Sequence, residues 1–151
     1  MDALMYLLKK IVFTPNRIGK QGEDLVFANL GWANLCGYRG KVLKNIYVPF
    51  SEGKTVEIDL IYITQKGIFI IESKNLSGYV FGDESNLKWT STLYAGKTWY
   101  GSAIVEKHQF YNPIRQNKVH IKCLKKYLNN ESIKMFSVIV FSNRCEFKNI
   151  T

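Results

Sequence analysis

Apolar and polar positions change period several times along the chain, and those changes divide it into elements. From Thr14-Pro15 onward, Ile18, Gly22, Val26 and Leu30 recur at helical spacing, so a helix capped at Thr14 and ending at Gly31 is expected. Gly19 and Gly22 would each cost about 1 kcal/mol inside it relative to alanine. Close approach of a neighbouring backbone is the expected reason for them. Residues 42–50, 56–63 and 68–74 are rich in β-branched and aromatic side chains, with turn-forming stretches at 51–54 and 64–67 between them. They read as three strands of an antiparallel meander, Pro49 being tolerated only near a strand end. Residues 76–112 carry Trp89, Trp99, several tyrosines and Gly78, Gly82, Gly96 and Gly101 without a helical period, and read as an inserted pair of short β-ribbons. Asn112-Pro113 then opens a helix to about Leu128, with Ile114, Ile121, Leu124 and Leu128 as its expected buried stripe. Residues 136–142 are almost wholly apolar, which fits a strand buried on both faces and reached through a helix, hence parallel, in a mixed sheet. The expected order is αβββαβ: an α/β domain with a mixed sheet flanked by helices and a short β-ribbon insertion.

The second hairpin carries most of the candidate chemistry. If the turn after Ile63 sets it opposite Ile68, Asp59 falls opposite Glu72 and Lys74 opposite Glu57. Strand alternation then sends Glu57, Asp59, Glu72 and Lys74 to one face and Ser73 to the other. A glycine bulge at Gly67 is the alternative, and it would shift the register and part Asp59 from Glu72. In the first register the opposed carboxylates stand about 4.5 to 5.5 Å apart at Cβ and repel. A divalent cation offsets that repulsion. Two carboxylates, waters and a backbone carbonyl such as that of Ser73 form an oxygen set that suits Mg2+ or Mn2+ better than Zn2+. The other reading is a surface ion pair of Lys74 with Glu57 and Glu72, although residues 60–63 and 68–71 are too apolar for an open surface.

At 151 residues and 46% hydrophobic content, one domain with a substantial core is expected over 17–151, preceded by an N-terminal segment, 1–16. The net charge of +9 favours polyanionic partners, either nucleic acid or an acidic membrane surface. It is uneven, with +3 in residues 1–75 and +6 in 76–151. Cys36, Cys123 and Cys145 form no CxxC pair, which argues against a zinc knuckle or a disulfide framework and makes a reducing cytoplasm the default. Residues 1–13 are apolar in patches, but Asp2 and Lys9-Lys10 leave too short a run to span a bilayer. A docking segment or amphipathic helix is expected there, with membrane-surface contact as the alternative. The chain stops nine residues past the last expected strand, so truncation of a longer protein is also considered.

A family likeness becomes specific at the same hairpin. Glu57-Ile58-Asp59 followed by Gly67-Ile68-Phe69-Ile70-Ile71-Glu72-Ser73-Lys74-Asn75 resembles the nuclease-related (NERD) domain of the PD-(D/E)xK superfamily. Further matches are Gly19-Lys20-Gln21-Gly22-Glu23, Leu43-Lys44-Asn45, Gly78, Trp89, Asn112-Pro113 and Gln116-Asn117. The resemblance covers about residues 17–142. It implies a restriction-endonuclease-like fold and metal-dependent hydrolysis of phosphodiester bonds in nucleic acid, DNA foremost, with Mg2+ or Mn2+ and no organic cofactor. It further implies that Asp59 and Glu72 hold the metal, that Lys74 positions or polarises the attacking water, that Glu23 adds a carboxylate and that Gln116 sits at the site's edge. A noncatalytic nucleic-acid-binding or signalling module that keeps the fold is the competing expectation.

Arg115, Lys118, Lys122 and Lys125 line one side of the second helix at spacings of three and four, a stripe able to track a phosphate backbone or to serve as an ordinary solvated face. His120 lies one turn beyond Gln116 and receives no role. Trp89, Trp99, Tyr94 and Tyr100 would stack on bases or, as favoured here, pack the ribbons.

Overall fold

A computed structural model describes residues 15–35 and 39–150. Cys36 and the expectations for residues 1–13 lie outside the described residues. In chain order the elements are α1 (Pro15–Leu35), β1 (Gly40–Ser51), β2 (Lys54–Thr64), β3 (Gly67–Lys74), β4 (Gly78–Gly82), β5 (Lys88–Lys97), β6 (Ala103–Tyr111), α2 (Pro113–Tyr127), β7 (Met135–Phe141) and β8 (Cys145–Ile150). The strands form two sheets ordered β1-β2-β3-β7 and β6-β5-β4-β8. The first sheet is the expected mixed one: β1, β2 and β3 run antiparallel, and β7 returns through α2 to lie parallel to β3.

Three expectations need correction. The pair of short ribbons is instead part of a second sheet, closed by β8, which runs parallel to β4 and was not anticipated. The segment Cys145-Glu146-Phe147-Lys148 does alternate apolar and polar, as a half-buried strand should. Second, α1 continues through Gly31 to Leu35, since a lone glycine weakens a helix without ending it. Third, the buried side of α2 holds Asn117, His120, Cys123 and Leu124, whereas Ile114 and Ile121 are half-buried and Leu128 is exposed. The buried side thus includes two polar groups that lie outside the expected aliphatic stripe, of which Leu124 alone is buried.

The helices cover opposite faces of the first sheet. Gly22 of α1 sits so near Ser73 and Asn75 that an added Cβ would lie 2.7 Å from Asn75 Cβ. Gln116 and His120 of α2 meet Lys74 and Glu72, the alternate residues of the same strand. The expected close approach therefore applies to Gly22, against side chains; around Gly19 a Cβ would meet nothing within 4 Å. On the α2 face, Val48, Ile58, Ile61, Ile70, Cys123 and Leu124 form the main core.

Asn112 fixes the start of α2. Its Oδ1 accepts from the Ile114 and Arg115 N–H groups, while its Nδ2 donates to the carbonyls of Asp83, Glu84 and Asn86. One fully buried side chain thereby caps the helix and ties it to the turn before β5. Trp89 is buried, stacks on Phe141 at 6.2 Å between centroids and donates through Nε1 to the Asp83 carbonyl. It packs as favoured; Tyr94, Trp99 and Tyr100 remain exposed.

Candidate active site

The β2–β3 ladder has the first of the two registers, with Thr64 opposite Gly67 and Ile63 opposite Ile68, so Gly67 hosts no register shift. Its last pair is Leu60 with Ile71. Beyond that point a side chain replaces the backbone ladder, because the Ser73 N–H donates to Asp59 Oδ2 at 2.8 Å. That bond places a carboxylate at the position where the two strands part.

Alternation breaks at the same level on both β1 and β2. Ile58 and Ile61 join one core cluster although three residues apart, as do Leu43 and Ile46. The β1–β2 register is unchanged across the break, with Lys44 opposite Leu60 and Ile46 opposite Ile58, while Asn45 between them takes a φ of 52°. Left-handed backbone is several-fold enriched in asparagine, and here it turns the strand without a register shift. In consequence Asp59 opens on the α1 side, in a groove of about 600 Å³ lined by Gly19, Lys20, Glu23, Asn45, Tyr47, Glu57 and Asp59. The expectation that Glu57, Asp59, Glu72 and Lys74 share one face is corrected accordingly. Glu57 accepts from Asn45 Nδ2 at 3.0 Å, and the ladder that would have brought it to Lys74 has already ended.

Glu72 and Lys74 point to α2. Lys74 Nζ donates to Glu72 Oε1 at 2.6 Å and to Gln116 Oε1 at 3.1 Å. His120 Nδ1 lies 3.6 Å from Glu72 Oε2. The pairing follows from two repeats that nearly match: four helical residues advance about 6 Å and two strand residues about 6.6 Å. An E-x-K on the strand therefore faces a Q-x-x-x-H on the helix. That coincidence was the signal for His120, the site neighbour left without a role.

Among the other expected site residues, Glu23 is held on the far side of the groove, accepting from Asn45 Nδ2 at 3.2 Å with Lys44 Nζ at 4.0 Å. Ser73 supplies its N–H to Asp59, and its side chain lies toward Gly22. The basic stripe is partly engaged. Arg115 donates to the carbonyls of Glu84 and Ser85, Lys118 pairs with Glu84 at 2.6 Å and Lys125 donates to the Glu131 carbonyl. Lys122 is exposed.

Burial dominates the electrostatics. Desolvation, followed by the Asp59 charge, raises Glu72 to about 7 against the opposing pull of Lys74. Asp59 is raised as well, by desolvation first, with the Ser73 N–H opposing. His120 is lowered to about 4 by desolvation and by the Lys74 ammonium. Glu72 Oε2, 2% exposed as part of its side chain, has no hydrogen-bond partner. A buried carboxylate oxygen without a donor is costly unless something cationic or a proton meets it. Among the described residues no three histidine, cysteine, aspartate or glutamate side chains converge as a metal cluster.

A mixed sheet between two helices, with two carboxylates and a lysine where its central strands part, defines a nuclease-like α/β architecture. The chain belongs to the nuclease-related domain family, matching it over residues 18–142. An uncharacterized protein of Bacillus anthracis is 32% identical over 136 residues, covering 90% of this chain and 58% of the relative. The chain thus spans less than two thirds of that relative's length. No solved structure matches. No helix among the described residues is long and apolar enough to cross a membrane.

Proposed function

We propose that the chain is a Mg2+- or Mn2+-dependent nuclease that hydrolyses phosphodiester bonds of nucleic acid, DNA foremost. The observation that carries this reading is the convergence of the buried Glu72 carboxylate, Lys74 and Gln116 beside Asp59, at the end of the central hairpin of a nuclease-related domain. The donor chemistry suits a hard cation: Asp59, which opens on the α1 side, and Glu72, which points to α2, would have to turn toward one another where the β2–β3 ladder ends to hold it, with the Ser73 carbonyl and water completing an all-oxygen set. Such an ion, when bound, lowers the pKa of a water and offsets charge on the scissile phosphate.

The rest of the chemistry belongs to the chain itself. Lys74 has three N–H donors, and Glu72 and Gln116 take two, which leaves the third for a water or a phosphate oxygen. An ammonium held there stabilises charge that develops in the transition state. Asp59 is anchored on the Ser73 N–H, so its orientation is set before substrate arrives. The groove beside it carries Glu23, Glu57 and Asp59 against Lys20, an acidic lining that would repel a polyanion without added cations. The stripe of Arg115, Lys118, Lys122 and Lys125 is proposed to contact phosphates, since exposed ion pairs such as Lys118–Glu84 exchange partners at little cost.

The test is to incubate the purified chain with single-stranded, duplex and branched DNA and with RNA, in Mg2+, Mn2+ or EDTA. Cleavage with either metal and none in EDTA is expected. Salt-sensitive binding with no cleavage in any metal would overturn the reading and favour a noncatalytic binding module.

A further inference from the structure

Two buried polar atoms face one another beside the proposed metal site. His120 Nδ1 and Glu72 Oε2 are 3.6 Å apart, their side chains are 5% and 2% exposed, and neither atom has a hydrogen-bond partner. A hydrogen bond between N–H and O needs about 2.7 to 3.2 Å, so the pair stands just short of contact. An imidazole carries its proton on either ring nitrogen, and which of the two is set by the partner each nitrogen faces. With the proton on Nε2, a nitrogen lone pair would oppose a carboxylate oxygen in a dry site. With the proton on Nδ1, a donor meets an acceptor.

We propose that His120 is a positioning residue for Glu72: its Nδ1–H donates to Oε2 and, with Lys74 on Oε1, fixes the plane of the carboxylate. This inference rests on reading Glu72 as a metal ligand. A carboxylate oxygen has two lone-pair sites, so Oε2 accepts from His120 and still offers the other to a cation. Ligating carboxylates are commonly held by such outer partners, and loss of one costs roughly 10- to 100-fold in metal affinity or activity. The position of His120 is itself well fixed, because Gln116, one turn earlier, is bound to Lys74, and Leu124, one turn later, lies in the core.

Two measurements on the full chain test this, neither of which reads cleavage. The first is the imidazole nitrogen spectrum of 15N-histidine-labelled protein at pH 8 with Mg2+, assigned through His120→Asn. A proton on Nδ1 is expected; an Nδ1 without one overturns the proposal. The second is Mn2+ binding followed by electron paramagnetic resonance. His120→Leu should weaken it by roughly 10- to 100-fold. His120→Asn, whose amide nitrogen takes the place of Nδ1, should restore most of the loss. Equal affinities for the two variants overturn the proposal, and far-UV circular dichroism confirms that both are folded. If the wild type binds no Mn2+, the metal reading fails by itself, and the tautomer still decides whether His120 donates to Glu72.

Discussion

Glu72 is buried between the sheet and α2, and its ionisation is linked to stability. Its folded value, about 7, lies above the ordinary 4.5. Its contribution to stability is therefore full below 4.5 and is lost as pH rises through 7, a loss of roughly 3 kcal/mol in the metal-free protein. His120 has the opposite sign: lowered from 6.5 to about 4, its contribution is present above 6.5 and is lost as pH falls through 4. Urea unfolding in EDTA at pH 5 and pH 8 separates the two when wild type is compared with Glu72→Gln. The wild type should lose more stability between those pH values than the variant does, and parallel losses would show that Glu72 is not held neutral by burial. At this scale the register of the hairpin that carries Asp59, Glu72 and Lys74 was legible in the sequence because a short turn sets the register of the strands it joins. Asn117 and His120 were not, because periodicity assigns polar residues to the outside unless a partner is known, and the groups they meet lie on other elements, Ile70 and Glu72 on β3 and, for Asn117, Ser137 and Val138 on β7. The φ of Asn45 leaves no trace in a pattern of apolar positions, so the turn of Asp59 toward α1 was hidden too.

The elements depend on a few contacts that substitution can probe. Gly22→Ala places a Cβ at 2.7 Å from Asn75 Cβ and should cost about 1 to 3 kcal/mol through overpacking of α1 on β3. Gly31→Ala meets nothing within 4 Å and should stabilise the same helix by up to about 1 kcal/mol. Chemical denaturation of the two variants measures both, and a shared sign would mean that α1 does not dock on Ser73 and Asn75 as described. Asn112→Ala removes a cap and leaves the carbonyls of Asp83, Glu84 and Asn86 without their donor, so a loss of roughly 2 to 4 kcal/mol is expected in the same assay. The meander, α2 and β7 were legible because each combines a clear period with turn or cap residues at its ends. β8 was not, because its strand partner is β4, and a parallel pairing as distant in sequence as Gly78 with Cys145 has no local signature.

For the whole molecule, the net charge of +9 has to coexist with an acidic groove. Binding to duplex DNA should weaken steeply with salt, and Lys118→Ala with Lys122→Ala should flatten the plot of log affinity against log salt by roughly 0.9 for each phosphate that is no longer neutralised. An unchanged slope, measured by fluorescence anisotropy, would remove those residues from the interface. Catalysis is proposed to reside at Glu72 and Lys74, and the rate of DNA cleavage as a function of Mn2+ concentration is the measurement that decides it. The wild type should show a saturable, EDTA-sensitive rate, reduced by about 100-fold or more in Glu72→Gln and in Lys74→Ala at every metal concentration. Rates that match the wild type in both variants, with their folds intact, would contradict it.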